Sequence, residues 1–179
     1  MASFLVVYGT VEGQTQKVAE RIGRVVEENG GEATTVEAGS EPSVRGYDAV
    51  IIGSAVHYEK HHPDVRRLVS SNAEALREKP TAFFQISLSS AVGGKGRAEA
   101  AGYADAFLED LGWNPDRIGF FGGALRYSKY GFVKRLMMKR IAKDATGDTD
   151  TSRDYEYTDW GEVERFASDF MRFAERRLM

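Results

Sequence analysis

The chain has 179 residues, of which 42% are hydrophobic and 28% are charged, and its formal net charge is −3 at pH 7. These values describe one globular domain, because a single hydrophobic core can serve a chain of up to about 250 residues. The weak negative charge argues against a general nucleic-acid-binding protein. No apolar run approaches the ~18–20 residues of a spanning helix, which argues against an integral membrane protein.

The chain contains no cysteine and three histidines, His57, His61 and His62. The lack of cysteine excludes disulfides, thiolate nucleophiles, iron–sulfur clusters and cysteine-based zinc sites. Three histidines leave little basis for a metal site, so we expect no metal; His61 and His62 are interpreted as residues at the entry of a helix. Met1 leads directly into an apolar strand without a basic leader, and we therefore expect a cytoplasmic protein.

Strand and helix patterns alternate along the chain. Short apolar or alternating runs predict five strands, at 3–8, 32–37, 47–53, 80–88 and 117–122. Amphipathic patterns predict helices at 15–29, 63–76 and 97–111, and Asp159 with Glu162 forms a capping-box pattern before a last helix. This alternation predicts parallel pairing in a doubly wound, three-layer α/β sandwich. Ligands of such sandwiches bind beyond the carboxyl ends of the strands.

The loop after the first predicted strand leads directly into a helix and is rich in small and hydroxyl residues. It reads Gly9-Thr10-Val11-Glu12-Gly13-Gln14-Thr15. Free amides and the helix dipole at such a position bind phosphate, and the Thr hydroxyls add donors. Because the Gly-Lys-Ser/Thr of nucleoside-triphosphate loops and the Gly-x-Gly-x-x-Gly of dinucleotide folds are both missing, the pattern indicates a phosphate monoester that stays bound. A capped helix without a ligand is the alternative.

The segment from Arg126 to Lys143 contains seven basic residues and no acidic residue. Its apolar residues share one predicted helical face, comprising Tyr130, Val133, Met137 and Ile141, with Phe132 and Leu136 beside it. A cationic amphipathic helix of this kind can lie in a membrane interface or hold the acidic side chains of a ligand. It can equally pack on its own domain or on a second subunit.

Several motifs resemble known families. The Thr-x-Glu-Gly-Gln-Thr loop, together with five alternating strands, resembles a flavodoxin-type FMN-binding domain. Three further segments resemble the menaquinone-dependent protoporphyrinogen oxidase family: Gly122-Gly123-Ala124-Leu125-Arg126-Tyr127, Gly147-Asp148-Thr149-Asp150-Thr151 and Tyr157-Thr158-Asp159-Trp160. The resemblance spans nearly the whole chain. It implies one flavodoxin-like domain over 1–179, a five-stranded parallel sheet of order 2-1-3-4-5, and a basic amphipathic insertion at 126–157 near the fifth strand.

The resemblance also implies a function. The protein would be an FMN-dependent oxidoreductase that oxidises protoporphyrinogen IX to protoporphyrin IX in heme biosynthesis and passes the electrons to menaquinone or another quinone. The cationic amphipathic helix, and not the resemblance, suggests a peripheral contact with the anionic inner face of the cell membrane; oligomerisation is left open. Two alternatives remain: a flavodoxin-like electron carrier or quinone reductase without a tetrapyrrole substrate, and a flavin-free interaction module.

Applied position by position, the resemblance implies a set of site residues. Three loops would surround FMN: the phosphate loop, with Thr10, Val11, Glu12, Gly13, Gln14 and Thr15; the loop after the third strand, with Ser54, Ala55, Val56, His57 and Tyr58; and the loop after the fourth strand, with Leu88, Ser89, Ser90, Gly93 and Gly94. The substrate's acidic groups would meet Arg126, Tyr127, Lys129 and Lys134.

FMN itself would be the reactive group, so no side chain is assigned as catalytic. His57 stands where the family is expected to have an arginine, and Ser87 is a second departure from the family pattern. A histidine titrates near neutral pH and could relay a proton to the flavin or the substrate. The alternative for His57 is an exposed loop histidine without a role in the chemistry.

Overall fold

The computed structural model describes residues 1–91 and 94–179. Its strands in chain order are β1 (Ser3–Gly9), β2 (Glu32–Glu37), β3 (Ala49–His57), β4 (Lys60–His61), β5 (Thr81–Ser87), β6 (Arg117–Gly122), β7 (Ala124–Leu125) and β8 (Tyr155–Glu156). The parallel sheet has the order β2-β1-β3-β5-β6, and β4 pairs antiparallel with the end of β3. The five predicted strands and their order are confirmed. β7 and β8 form a separate antiparallel pair.

The helices are α1 (Gln14–Glu28), α2 (Pro63–Ser71), α3 (Ala73–Arg77), α4 (Lys95–Leu111), α5 (Phe132–Ala145) and α6 (Trp160–Leu178). The helix predicted at 63–76 is two helices, because Asn72 ends α2 by donating its side-chain amide to the carbonyl of Leu68. The predicted start of α6 is confirmed, since the Asp159 carboxylate accepts the Glu162 N–H at 3.2 Å. No helix within the described residues is both long and apolar enough to cross a membrane.

Helices cover both faces of the sheet, which explains the near-continuous apolar runs of the strands. Successive side chains of a strand point to opposite faces. Phe4 and Val6 therefore pack toward α1 and α6, whereas Leu5 and Val7 pack toward α2 and α4. With both faces buried, the strands are held in register and their carboxyl ends meet at one edge. That edge carries the loops after β1, β3 and β5.

The segment between β6 and α6, predicted as an insertion, has a small apolar core of its own. Leu125, Tyr127, Tyr130, Met138 and Ala142 are buried together. The Tyr127 ring meets those of Tyr130 and Tyr155 edge-on, with centroids 5.7 and 6.2 Å away. The segment is therefore a packed unit.

The buried face of α5 differs from the predicted apolar face, which comprised Tyr130, Val133, Met137 and Ile141. Met138 and Ala142 face inward, whereas Val133 is 69% and Met137 46% exposed. Among the residues of the predicted apolar face only Tyr130, which precedes the helix, is buried. The tyrosine cluster packs on the side of α5 that carries Met138 and Ala142, and this leaves an apolar face open to solvent.

Close packing at the centre of the sheet gives a first testable prediction. A Cβ on Gly53 would lie 1.9 Å from Cζ of Phe84, so we expect Gly53→Ala to lower the free energy of unfolding by about 1–3 kcal/mol or more. Gly102 in α4 has no heavy atom within 4 Å of a built Cβ, so Gly102→Ala should raise it by roughly 0.5–1 kcal/mol. Urea denaturation measures both. A Gly53→Ala protein as stable as the wild type would contradict this packing.

Candidate functional site

The first helix begins at the carboxyl end of β1 with free amide groups. Gly13 adopts the left-handed conformation, with φ of 96°, and donates its N–H to the Thr10 hydroxyl oxygen at 2.9 Å. The N–H of Lys17 reaches the carbonyl of Gly13, but those of Gln14, Thr15 and Gln16 have no acceptor among the described residues. Three unpaired amides at a helix N-terminus are suited to bind an anion.

A cavity of about 630 Å³ opens at this edge of the sheet. Its size lies within the range of ~300–1,000 Å³ typical of small-molecule sites. Of the predicted site residues, the cavity is lined by Thr10, Val11, Glu12, Gln14, Thr15, Ala55, Val56, His57, Tyr58, Leu88 and Ser89. The structure therefore brings the three predicted loops together around one cavity.

Four predicted cofactor residues within the described part of the chain do not line the cavity. Gly13 starts α1, and Gly94 starts α4. Ser54 is fully buried and holds the backbone, because its hydroxyl accepts the N–H of His62 and donates to the carbonyl of Ala55. Ser90 bonds the hydroxyl of Ser87 at 2.8 Å. Gly93 lies outside the described residues.

The loop patterns in the sequence do not predict the other residues of the cavity wall. These are Glu59, Ile86, Ser87, Glu99, Tyr103, Gly123, Ala124, Met138, Ile141, Asp144 and Ala145. Gly123 and Ala124 follow the fifth parallel strand, where ligand contacts were expected in general. Glu99 and Tyr103 lie on α4, and no local pattern distinguishes them from other surface residues of a helix. The residues from α5 close the cavity on the side of the insertion.

The turn between β3 and β4 presents an aromatic ring to the cavity. Tyr58 and Glu59 both have positive φ, at 50° and 64°, which is uncommon for residues other than glycine. The Tyr58 side chain is half-exposed, and its ring meets that of His57 edge-on with centroids 4.1 Å apart. Burial and the Lys134 ammonium lower the pKa of His57, so its imidazole is neutral at neutral pH. A neutral imidazole can accept a proton.

His61 connects the β3–β4 hairpin to β5 and α4. Its Nε2 lies 2.6 Å from Oε1 of Gln85, and its ring stacks on Phe107 with centroids 4.1 Å apart. Gln85 in turn donates to the carbonyl of Ala100 in α4. His61 is thus a buried anchor between β4, β5 and α4, and the interpretation of this residue as a helix entry is corrected. His62 does cap α2, where its Nδ1 accepts the N–H of Asp64.

The burial of His61 gives a pH dependence. Burial lowers the pKa of His61 from 6.5 to about 4, although the bond to Gln85 opposes the shift. The unfolded chain binds this proton first, so the folded state loses up to about 3 kcal/mol as pH falls from 6.5 to 4. We expect His61→Gln to be less stable at neutral pH but to lose less on acidification. Denaturant titrations across this range measure the difference, and equal slopes for both proteins would refute it.

Several side chains of the insertion form hydrogen bonds or an ion pair with the phosphate loop. Tyr130 donates its hydroxyl to Oε2 of Glu12 at 2.8 Å, and Lys134 Nζ lies 3.1 Å from Oε1 of the same carboxylate. Lys129 donates to the Glu12 carbonyl at 3.2 Å, and Arg126 donates to Oε1 of Gln14 at 2.6 Å. Burial, together with the Glu12 carboxylate, raises the pKa of Tyr130, which keeps its hydroxyl a donor.

The four predicted substrate residues therefore have distinct positions. Arg126, Lys129 and Lys134 lie against the phosphate loop, behind the cavity wall. Tyr127 is fully buried and donates its hydroxyl to the carbonyl of Asp148, so it supports the insertion and does not reach the cavity. None of the four is among the cavity-lining residues that the structure describes.

Three carboxylates also line the cavity. Glu59 comes from the turn after β3, Glu99 from α4 and Asp144 from α5, and Tyr103 donates its hydroxyl to Glu99. Burial and this carboxylate raise the pKa of Tyr103 to about 12. The cavity wall therefore carries carboxylates from three elements, while the cations of the insertion lie against the phosphate loop. Nowhere in 1–91 or 94–179 do three or more His, Cys, Asp or Glu side chains cluster as metal ligands would.

Comparisons with known proteins agree with this geometry. Residues 5–152 match the flavodoxin domain family, and the chain therefore belongs to that family. Two solved structures share the fold: a flavodoxin from the domain Archaea, with a TM-score of 0.54 and 17% identity over 97% of this chain and 99% of that one, and a short-chain flavodoxin associated with a non-canonical PDU bacterial microcompartment, with a TM-score of 0.59 and 14% identity over the same shares.

Relatives found by sequence share one name. The chain is 33% identical over 174 residues to a protein of Escherichia coli K12 named protoporphyrinogen IX dehydrogenase (quinone), covering 96% of each. It is 30% identical over 169 residues to a protein of that name from Leishmania major, covering 93% of this chain and 73% of the relative. The resemblance noted in the sequence is confirmed.

The flavodoxin domain indicates FMN as the cofactor, and the site fits that molecule. Free amides and the Thr10 and Thr15 hydroxyls suit a phosphate group, while the half-exposed Tyr58 ring suits a flat aromatic system.

Proposed function

We propose that this protein is an FMN-dependent dehydrogenase that oxidises protoporphyrinogen IX to protoporphyrin IX in heme biosynthesis, with menaquinone or another quinone as electron acceptor. The observation that carries the proposal is the position of α5, which supplies Met138, Ile141, Asp144 and Ala145 to one wall of the cavity. An electron carrier exchanges electrons through an exposed flavin edge, whereas a walled cavity suits a small-molecule substrate. The names of the sequence relatives support the same substrate.

The cofactor would be held by the residues at the start of α1. In this proposal the N–H groups of Gln14, Thr15 and Gln16 and the hydroxyls of Thr10 and Thr15 bind the phosphate. Tyr58 and the segment 86–89 would contact the ring, and a stacked aromatic contributes roughly 0.5–1.5 kcal/mol beyond its burial. Bound FMN would supply the hydride acceptor and the electron path to the quinone. The chain would bind, orient and shield the reactants.

The charges around the cavity would orient a substrate with acidic side chains. Lys129 contributes positive potential beside the phosphate loop because it donates to a neutral carbonyl, whereas Glu12 and Glu156 offset much of the charge of Lys134 and Arg126. Glu59, Glu99 and Asp144 add negative charge to the cavity wall. Carboxylates of a tetrapyrrole would be attracted toward Lys129 and repelled by these three groups, which favours one orientation of the substrate. The neutral imidazole of His57 could take up a proton that leaves the substrate.

The exposed face of α5 would contact the membrane peripherally, at the inner face of the cell membrane. Phe132, Val133 and Leu136 are exposed on this face, together with Met137 and Ile141. Lys139, Arg140 and Lys143 are exposed on the same helix, and each basic side chain near an anionic surface contributes about 1 kcal/mol. Quinones dissolve in the bilayer, so this contact would bring the acceptor close to the cavity.

An anaerobic assay with FMN-loaded protein tests the function. We expect fluorescent porphyrin to form from protoporphyrinogen IX only when a menaquinone analogue is present. With menaquinone embedded in anionic vesicles, the double variant Phe132→Ser, Leu136→Ser should turn over more slowly than the wild type, whereas a water-soluble analogue should support equal rates. Absence of porphyrin would reject the tetrapyrrole substrate, and quinone reduction from another donor would then favour the electron-carrier or quinone-reductase alternative.

A further inference from the structure

A carboxylate lies within the loop that would bind the phosphate. Glu12 precedes the free amides of α1, lines the cavity, and has a side chain that is only 16% exposed. Its Oε1 is buried and has no hydrogen-bond partner among the described residues. A buried, uncompensated negative charge at this position would repel a phosphate dianion and would itself be costly.

Lys134 compensates this charge from the insertion. Its Nζ lies 3.1 Å from Glu12 Oε1 and 5.1 Å from the centroid of the Tyr130 ring. Tyr130 donates its neutral hydroxyl to the other carboxylate oxygen. The negative charge of Glu12 is therefore neutralised by Lys134 and not by Tyr130. The Lys134 side chain is 35% exposed and that of Glu12 16%, so the pair is partly buried, and removal of the lysine would leave the Glu12 charge with little access to water.

The other charged groups nearby have different partners. Lys129 donates to the backbone carbonyl of Glu12, while Arg126 donates to the side chain of Gln14. Lys17 pairs with Glu156 at 2.8 Å. His57 is close enough for its pKa to respond to both Lys134 and Glu12, but its imidazole is neutral. Lys134 is thus the cation that faces the Glu12 carboxylate within the described structure.

We propose that Lys134 is a positioning residue that makes the phosphate loop selective for a phosphorylated flavin. By compensating Glu12, it removes a repulsion that would act on FMN but not on riboflavin, which has no phosphate. The insertion then does more than cover the cavity, because its docking and the binding of the phosphate favour each other reciprocally. The inference rests on the proposed placement of the phosphate at the start of α1 and is independent of the tetrapyrrole substrate.

A titration of the apoprotein with flavin tests this proposal, and the quenching of flavin fluorescence gives the Kd. The wild type should bind FMN more tightly than riboflavin. In Lys134→Gln the Kd for FMN should rise about tenfold, since the Glu12 charge is left unpaired, while the Kd for riboflavin stays unchanged. The double variant Glu12→Gln, Lys134→Gln should regain the affinity of the wild type for FMN. Lys139→Gln, which removes an exposed lysine of the same helix, is the matched control and should bind as the wild type does.

Three results would overturn the proposal: an unchanged FMN affinity in Lys134→Gln, an equal loss of riboflavin affinity, or a double variant as weak as the single one. Equal binding of FMN and riboflavin by the wild type would overturn it at an earlier step, because the phosphate would then not lie at the loop. Glu12→Gln alone keeps the proposal testable if Lys134→Gln does not fold. This variant should bind FMN at least as tightly as the wild type, and weaker binding would count against the repulsion.

Discussion

The start of α1 leaves three backbone hydrogen-bond donors without an acceptor among the described residues, at the edge of the sheet where the cavity lies. β1 lies inside the sheet between β2 and β3, so its carboxyl end is held on both sides. Gly13 turns the chain sharply there, which directs the amides of Gln14, Thr15 and Gln16 to the sheet edge without internal acceptors. Unpaired donors at a helix N-terminus favour an anion. The cavity, the neighbouring loops and the insertion are all arranged around these three groups.

The insertion adds one wall to the cavity at this edge of the sheet. α5 lines the cavity, and the preceding turn binds the phosphate loop through the side chains of Glu12 and Gln14. The cofactor site and the substrate site would therefore share structural elements, so a substitution in one site would also change binding at the other. The apolar face of α5 is exposed to solvent. A flavodoxin domain of this form combines a cofactor fold with a wall suited to a small substrate.

Much of this architecture could be predicted from the sequence because its signals are local. The runs 3–8 and 47–53 are largely apolar, with β-branched or aromatic residues, as a sheet covered on both faces requires. The phosphate loop was recognisable because its composition and its position before a helix determine its chemistry. The resemblance to protoporphyrinogen oxidases depended on segments around the insertion, which explains why it was specific.

The missed features depend on tertiary packing. The helical period of α5 fits two faces, and only the position of the tyrosine cluster decides that Met138 is buried and Met137 exposed. The burial of Tyr127 depends on β7 and β8, each two residues long and too short to produce a period. His61 pairs with Gln85, a residue 24 positions away that forms no motif with it. Glu99 and Tyr103 reach the cavity because α4 packs at that edge.

The most direct test of this account observes the amides at the start of α1 while flavin binds. In an ¹⁵N–¹H correlation spectrum of the apoprotein, addition of FMN should move the signals of Gln14, Thr15 and Gln16 strongly downfield, as expected for amides that begin to donate to a phosphate. Riboflavin should leave these three signals near their starting positions while it moves signals of the segment 55–58. The account would be contradicted if riboflavin moved the three amide signals as far as FMN does, or if FMN bound without moving them.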